Sequence, residues 1–91
     1  MLRITIQQST QEVTLKLEGR IAGPWVDELH RAWISLAPSL GSKHLCVDLC
    51  EVTFVDSGGK HLLRTIWKNG VCFLADTPMT KYLVEEIERG Q

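Results

Sequence analysis

Apolar residues alternate with polar ones at Leu2, Ile4 and Ile6, and again at Val13, Leu15 and Leu17. Both segments therefore predict half-buried strands. The polar residues 7–12 between them are few enough for a hairpin loop. Gly19-Arg20-Ile21-Ala22-Gly23 breaks the alternation, and Pro24 suits a first helical position, where its missing N–H would be unpaired anyway. From there Val26, Leu29, Trp33, Leu36 and Ala37 recur at helical spacing and form one apolar stripe, which Pro38 and Gly41 end. Residues 45–49 are almost continuously apolar, as in a parallel strand covered on both faces, with Asp48 the exception. Phe54-Val55 extends that run, and Asp56-Ser57-Gly58-Gly59 punctuates it. A second amphipathic helix carries Leu62, Leu63, Ile66 and Trp67 and stops at Asn69-Gly70 in a left-handed cap. Residues 71–75 form another fully apolar strand. Thr77-Pro78 then opens a third helix with Met79, Leu83 and Ile87 inward and Glu85, Glu86, Glu88 and Arg89 outward.

The predicted order is ββαβαβα. A hairpin followed by alternating strands and helices implies a small α/β fold: one mixed sheet whose later strands are parallel and joined by right-handed crossovers. No repeat or low-complexity linker interrupts it, so residues 1–91 read as a single domain.

Composition narrows the function classes. Of the 91 residues 44% are hydrophobic and 23% charged, as in an ordinary globular chain, and the net charge of −1 recommends neither nucleic acid nor an anionic membrane as partner. No apolar stretch reaches the ~20 residues of a membrane helix, and the N-terminus lacks the layout of a signal peptide, so a cytoplasmic location is expected. The three cysteines (Cys46, Cys50, Cys72) sit in apolar runs without a CxxC spacing or a disulfide framework. Cys46 and Cys50 would lie roughly 13 Å apart along one strand, too far to clasp one metal. All three are expected to be small buried hydrophobes. His30 and His44 lack a second ligand at metal-type spacing, and no cofactor or metal is expected.

The most specific stretch runs from Val47 to Gly59: a buried strand, a polar turn, two glycines and a helix. Ser57 stands at or next to the helix N-cap, where free N–H groups and the helix dipole favour an acceptor or an anion. On physics alone Ser57 reads as a cap and the glycines as licence for a tight turn.

Val47-Asp48-Leu49, Val52-Thr53-Phe54-Val55 and Asp56-Ser57-Gly58-Gly59 resemble the signature of the STAS family, the sulfate transporter and anti-sigma factor antagonist domains. That signature is an apolar-Asp-Leu strand, a Val-Thr-Phe-like stretch and Asp-Ser-Ser-Gly opening a helix. Leu15-Lys16-Leu17-Glu18-Gly19-Arg20-Ile21 is similar to the end of the family's second strand, and the later elements agree in order, so the resemblance covers nearly the whole chain. It implies a non-enzymatic regulatory domain that binds a protein partner. In the antagonists the serine after the aspartate is phosphorylated by an anti-sigma factor with serine kinase activity, and that position is Ser57. Partner contacts are then expected at Asp56, Ser57, Gly58, Gly59, Lys60 and Arg64. A phosphate would add roughly −1.5 to −2 charges beside Asp56 and penalise a surface docked on a neutral hydroxyl. Three departures stand out: Gly58 replaces the second serine, Lys60 replaces the usual leucine, and the chain stops soon after the third helix, where many members add a strand and a helix. An uncovered sheet edge would favour a homodimer or a constitutive partner. Lys60 and Arg64, one turn apart, could neutralise a phosphate or meet an acidic partner, or form a solvated face.

Asp56-Ser57-Gly58-Gly59 is also similar to the nucleophile motif of chymotrypsin-like proteases, but those are much longer double β-barrels. The hydrolase elbow Gly-x-Ser-x-Gly fails because Val55 holds its first glycine position. His61 could share a helical face with Ser57, yet Asp56 is poorly placed to orient it. The alternative to a phosphorylation switch is therefore a second binding role, as a constitutive STAS-like subunit of a lipid-transport ABC system or a stress-signalling complex. Trp33 and Trp67 fall on core stripes, while Trp25, off the centre of its stripe, reads either as an exposed anchor or as core edge.

Overall fold

A computed structural model describes residues 1–89. Its elements are β1 (Leu2–Gln8), β2 (Glu12–Ile21), α1 (Pro24–Leu36), a single 3-10 turn (Ala37–Ser39), β3 (His44–Val55), α2 (Ser57–Lys68), β4 (Cys72–Leu74) and α3 (Pro78–Arg89). The ββαβαβα order is thus as expected. The sheet runs β1-β2-β3-β4, with β1 antiparallel to β2 and the other neighbours parallel.

Leu15, Leu17, Leu45, Val47 and Leu49 project from the strands into one apolar cluster that also takes Leu29 and Trp33 of α1, Leu63 and Ile66 of α2 and Leu83 and Ile87 of α3. All three helices therefore cover one face of the sheet. Of the opposite parity, Thr14, Lys16 and Asp48 are half-buried and Cys46 is buried. This corrects the expectation that the apolar strands are covered on both faces: β4 is a three-residue edge strand with Cys72 and Leu74 exposed. Met79, expected inward, is 50% exposed, and the fully buried residue of that turn is Thr80. Its hydroxyl lies 2.8 Å from that of Thr77, and its N–H donates to Thr77 Oγ1 at 3.1 Å, a reciprocal cap that lets a polar residue face the core.

β3 is two residues longer than β2, twelve against ten. Register shifts between Lys16 and Glu18 and between Gly19 and Arg20 show where the surplus bulges out. The β3 residues in the apolar cluster consequently fall at Leu45, Val47, Leu49, Val52 and Val55, with the spacing widening from two to three. Side chains repair both irregularities. Asp48 Oδ1 accepts from the Cys50 N–H at 2.9 Å, and Thr53 Oγ1 donates to the Gly19 carbonyl at 3.2 Å. Gly19 itself has φ +101°, and a Cβ there would collide with the Met1 carbonyl.

Asp48→Ala leaves the Cys50 N–H without its acceptor, and the expected loss is about 1–3 kcal/mol. Asp48→Asn, which keeps an acceptor oxygen, recovers most of it. Urea unfolding of the two variants checks the order; equal stability of both with the parent would show that the bulge needs no cap.

Candidate functional site: the turn from strand β3 into helix α2

Asp56, not Ser57, caps α2. Its backbone is extended (φ −80°, ψ 179°), and Oδ1 accepts from the Gly59 N–H at 2.7 Å. Both residue types are good caps, so the sequence left the choice open. The other oxygen decides it. Oδ2 accepts from the Gly23 N–H at 3.0 Å, at the start of α1, thirty-three residues away in sequence. The Asp56 N–H donates to the Ile21 carbonyl at 3.0 Å, and its carbonyl accepts from Lys60 N–H at 2.9 Å.

Ser57 is therefore the first residue of α2, exposed, with the capping done by its neighbour. Gly58 is also exposed, whereas Gly59 is buried. A Cβ on Gly59 would stand 2.8 Å from the Ile21 carbonyl oxygen and from Val55 Cγ1, and 2.9 Å from Ile21 Cγ2. The helix approaches the end of β2 so closely that no side chain fits there.

Lys60 and Arg64, open in the sequence to a phosphate- or partner-facing role or to a solvated face, have different surroundings. Lys60 is half-buried, with Nζ 3.5 Å from Glu86 Oε2 on α3. Arg64 lies two turns from Ser57, roughly 10 Å along the axis. Its Nη1 is buried without a hydrogen-bond partner among the described residues. Neither oxygen of Asp56 is available to orient His61, which is exposed. Trp25, read either as an exposed anchor or as core edge, is half-buried against the core.

The sequence reading missed a groove beside this turn. It holds about 230 Å³ between β3 and α3, lined by Val52, Phe54, Met79 and Leu83, with Lys60 and Glu86 at its rim. Phe54 is 44% exposed, and its ring lies under the Arg20 guanidinium at 4.5 Å. Phe54 stands opposite Leu45, Val47 and Leu49 in strict alternation, and the two bulges together leave it on that outward side.

The electrostatics follow from the hydrogen bonds. The Gly59 N–H, then those of Gly23 and Gly58, hold the Asp56 carboxyl below its ordinary value of 3.8, against a smaller opposing effect of burial. Because these donors bind the ionised form, Asp56 adds stability above its unfolded pKa of about 3.9, and that contribution is lost as pH falls through the lower folded value. Asp56→Asn should thus be less stable than the parent at pH 7, with the gap narrowing below about pH 4. Urea midpoints of both proteins at pH 7 and pH 3 test this, and a gap independent of pH would refute it. The glycines give a second contrast. Gly59→Ala should cost about 1–3 kcal/mol through overpacking. Gly58→Ala, whose Cβ meets only Asp56 Oδ1 at 3.5 Å, should be neutral or stabilising by about 0.5–1 kcal/mol. Comparable losses from the two in thermal melts would contradict the packing described.

No family model and no curated protein matches the sequence. Solved structures do match the fold. An anti-sigma factor antagonist from Mycobacterium paratuberculosis superposes with a TM-score of 0.81 at 18% identity, over 93% of this chain and 76% of that one. The unphosphorylated anti-sigma factor antagonist SpoIIAA gives 0.66 at 20% identity, over 92% and 83%. An uncharacterised protein with a SpoIIAA-like fold from Shewanella loihica gives 0.60 at 13% identity, over 89% and 72%. At these identities the likeness concerns architecture, and by architecture this chain has the SpoIIAA-like (STAS) fold of the anti-sigma factor antagonists.

Proposed function

We propose that this chain is a cytoplasmic regulatory domain of the anti-sigma factor antagonist type, docking an anti-sigma factor with serine kinase activity and released by phosphorylation of Ser57. The observation that carries the reading is the division of labour at the turn. Asp56 caps α2 and ties it to α1, so the Ser57 hydroxyl is exposed and has no capping duty. A kinase can take that hydroxyl without dismantling the helix. Asp56, Gly58 and Gly59 are then the frame of the docking surface, and Lys60 its edge. The fold shared with two antagonists supports the same reading, and so does the retained order Asp56-Ser57.

The groove lined by Phe54 and Met79 favours a second reading, because exposed apolar residues suit a permanently bound subunit better than a transient switch. In that case Ser57 would go unmodified, in a transport or stress-signalling assembly.

Incubation with the cognate anti-sigma kinase and ATP should add the mass of one phosphate to the parent and none to Ser57→Ala. Ser57→Ala should bind the kinase as well as the parent does, and Ser57→Glu should bind at least about tenfold (about 1.4 kcal/mol) more weakly. Titration calorimetry reads both. Binding with no phosphate added would leave the constitutive subunit as the function.

A further inference from the structure

We propose that Cys46 and Cys72 form a reversible thiol–disulfide exchange site, opened by a low-molecular-weight thiol, that fastens the edge strand β4 and the start of α3 to the sheet. The two cysteines are directly paired residues of neighbouring parallel strands, with Cα atoms 4.7 Å apart, and they are disulfide-bonded. This overturns the expectation that both are free buried hydrophobes. The pairing depends on the β3–β4 register, which the sequence spacing of 26 residues does not reveal.

Three observations mark the bond as exchangeable. Cys72 is exposed on an edge strand, whereas Cys46 is only 6% exposed. An incoming thiolate therefore attacks the Cys72 sulfur and expels the Cys46 sulfur. Acceptors stand ready for both thiols once they form: Glu12 Oε1 is 3.6 Å from Cys46 Sγ, and the Leu45 carbonyl oxygen is 3.8 Å from Cys72 Sγ. The remaining cysteine is kept out of the exchange. A hydrogen bond with Asp48, then burial and the neighbouring Asp76, push the Cys50 thiol up to about 12, so it stays protonated and a poor nucleophile.

The reaction balances with two equivalents of thiol. The first forms a mixed disulfide at Cys72 as the Cys46 sulfur leaves and takes a proton. The second attacks the external sulfur of that mixed disulfide and releases Cys72 as a thiol. The reductant departs as its own disulfide, and two electrons and two protons have entered the protein. A low-molecular-weight disulfide reverses the sequence.

The consequence is local because β4 has so little else to hold it. It pairs with β3 at only three positions, Cys46 with Cys72, Val47 with Phe73 and Asp48 with Leu74, and has no second neighbour among the described residues. The covalent bond also closes the chain around the whole of α2. Opening it removes the covalent connection of β4 and leaves its ladder hydrogen bonds and the packing of the Phe73 side chain on the core.

The test holds the folded chain in oxidised or in reduced glutathione, then quenches, denatures and alkylates. Mass should count one alkylated cysteine, Cys50, after the oxidised buffer and three after the reduced one. Hydrogen exchange over residues 72–80 should be about tenfold faster or more in the reduced protein, with β1 and β2 unchanged. A Cys46→Ser/Cys72→Ser double variant should keep the parent's far-UV circular dichroism and exchange like the reduced parent. A bond that survives the reduced buffer, three free thiols in the oxidised one, unchanged exchange at β4, or an unfolded double variant would each overturn the proposal.

Discussion

One carboxylate holds the working end of this molecule together. Asp56 accepts from Gly59 at the start of α2 and from Gly23 at the start of α1, while its own backbone bonds to Ile21 and Lys60. Four segments meet at that residue: the ends of β2 and β3 and the beginnings of two helices. Each helix start presents unpaired N–H groups and the positive end of its dipole, so a single negative charge placed between them satisfies both. The missing Cβ of Gly59 is the steric counterpart, since only a glycine lets α2 come near enough to Ile21 for the carboxylate to reach both partners. The position of Ser57 follows from these two residues rather than from anything Ser57 does.

β3 has to deliver Asp56 to that point, and it does so by not being regular. A strand of strict period two would alternate faces through Val52 and Val55, which are three residues apart and both buried. The two bulges absorb the mismatch, and Asp48 and Thr53 supply the side-chain hydrogen bonds at them. Apolar-Asp-Leu followed by Val-Thr-Phe is thus a description of a bulged strand: the aspartate caps the first irregularity and the threonine bonds at the second.

Much of this was legible along the chain, for reasons that separate local from distant physics. The strands, the three helices, Pro24 and Pro78 at helix starts and the Asn69-Gly70 stop are written in spacing and cap chemistry, where the deciding atoms lie within a few residues. Most of the readings that the structure changed depend on distant partners, and one on a choice between neighbours. Ser57 and Asp56 are equally good caps until the Gly23 N–H is brought up to one of them. Cys46 and Cys72 pair only once α2 has set the parallel register of β4. Met79 and Thr80 compete for the same inward turn, and the threonine prevails because Thr77 satisfies its hydroxyl in place.

The arrangement at the turn bears directly on how a phosphate on Ser57 would act under the proposed function. A helix N-terminus ordinarily welcomes an anion, because its free N–H groups can bind it. Here the Gly59 N–H is already taken by Asp56, and so is the N–H at the start of the neighbouring helix. A phosphate could claim them only by displacing the carboxylate that joins α1 to α2. Lys60, the nearest cation along α2, is engaged with Glu86. With the Gly59 and Gly23 N–H groups taken and a negative charge alongside, the phosphate oxygens would point outward, into whatever surface lies against the turn. The effect of modification would therefore fall on the docked partner, and the fold that presents Ser57 would be spared.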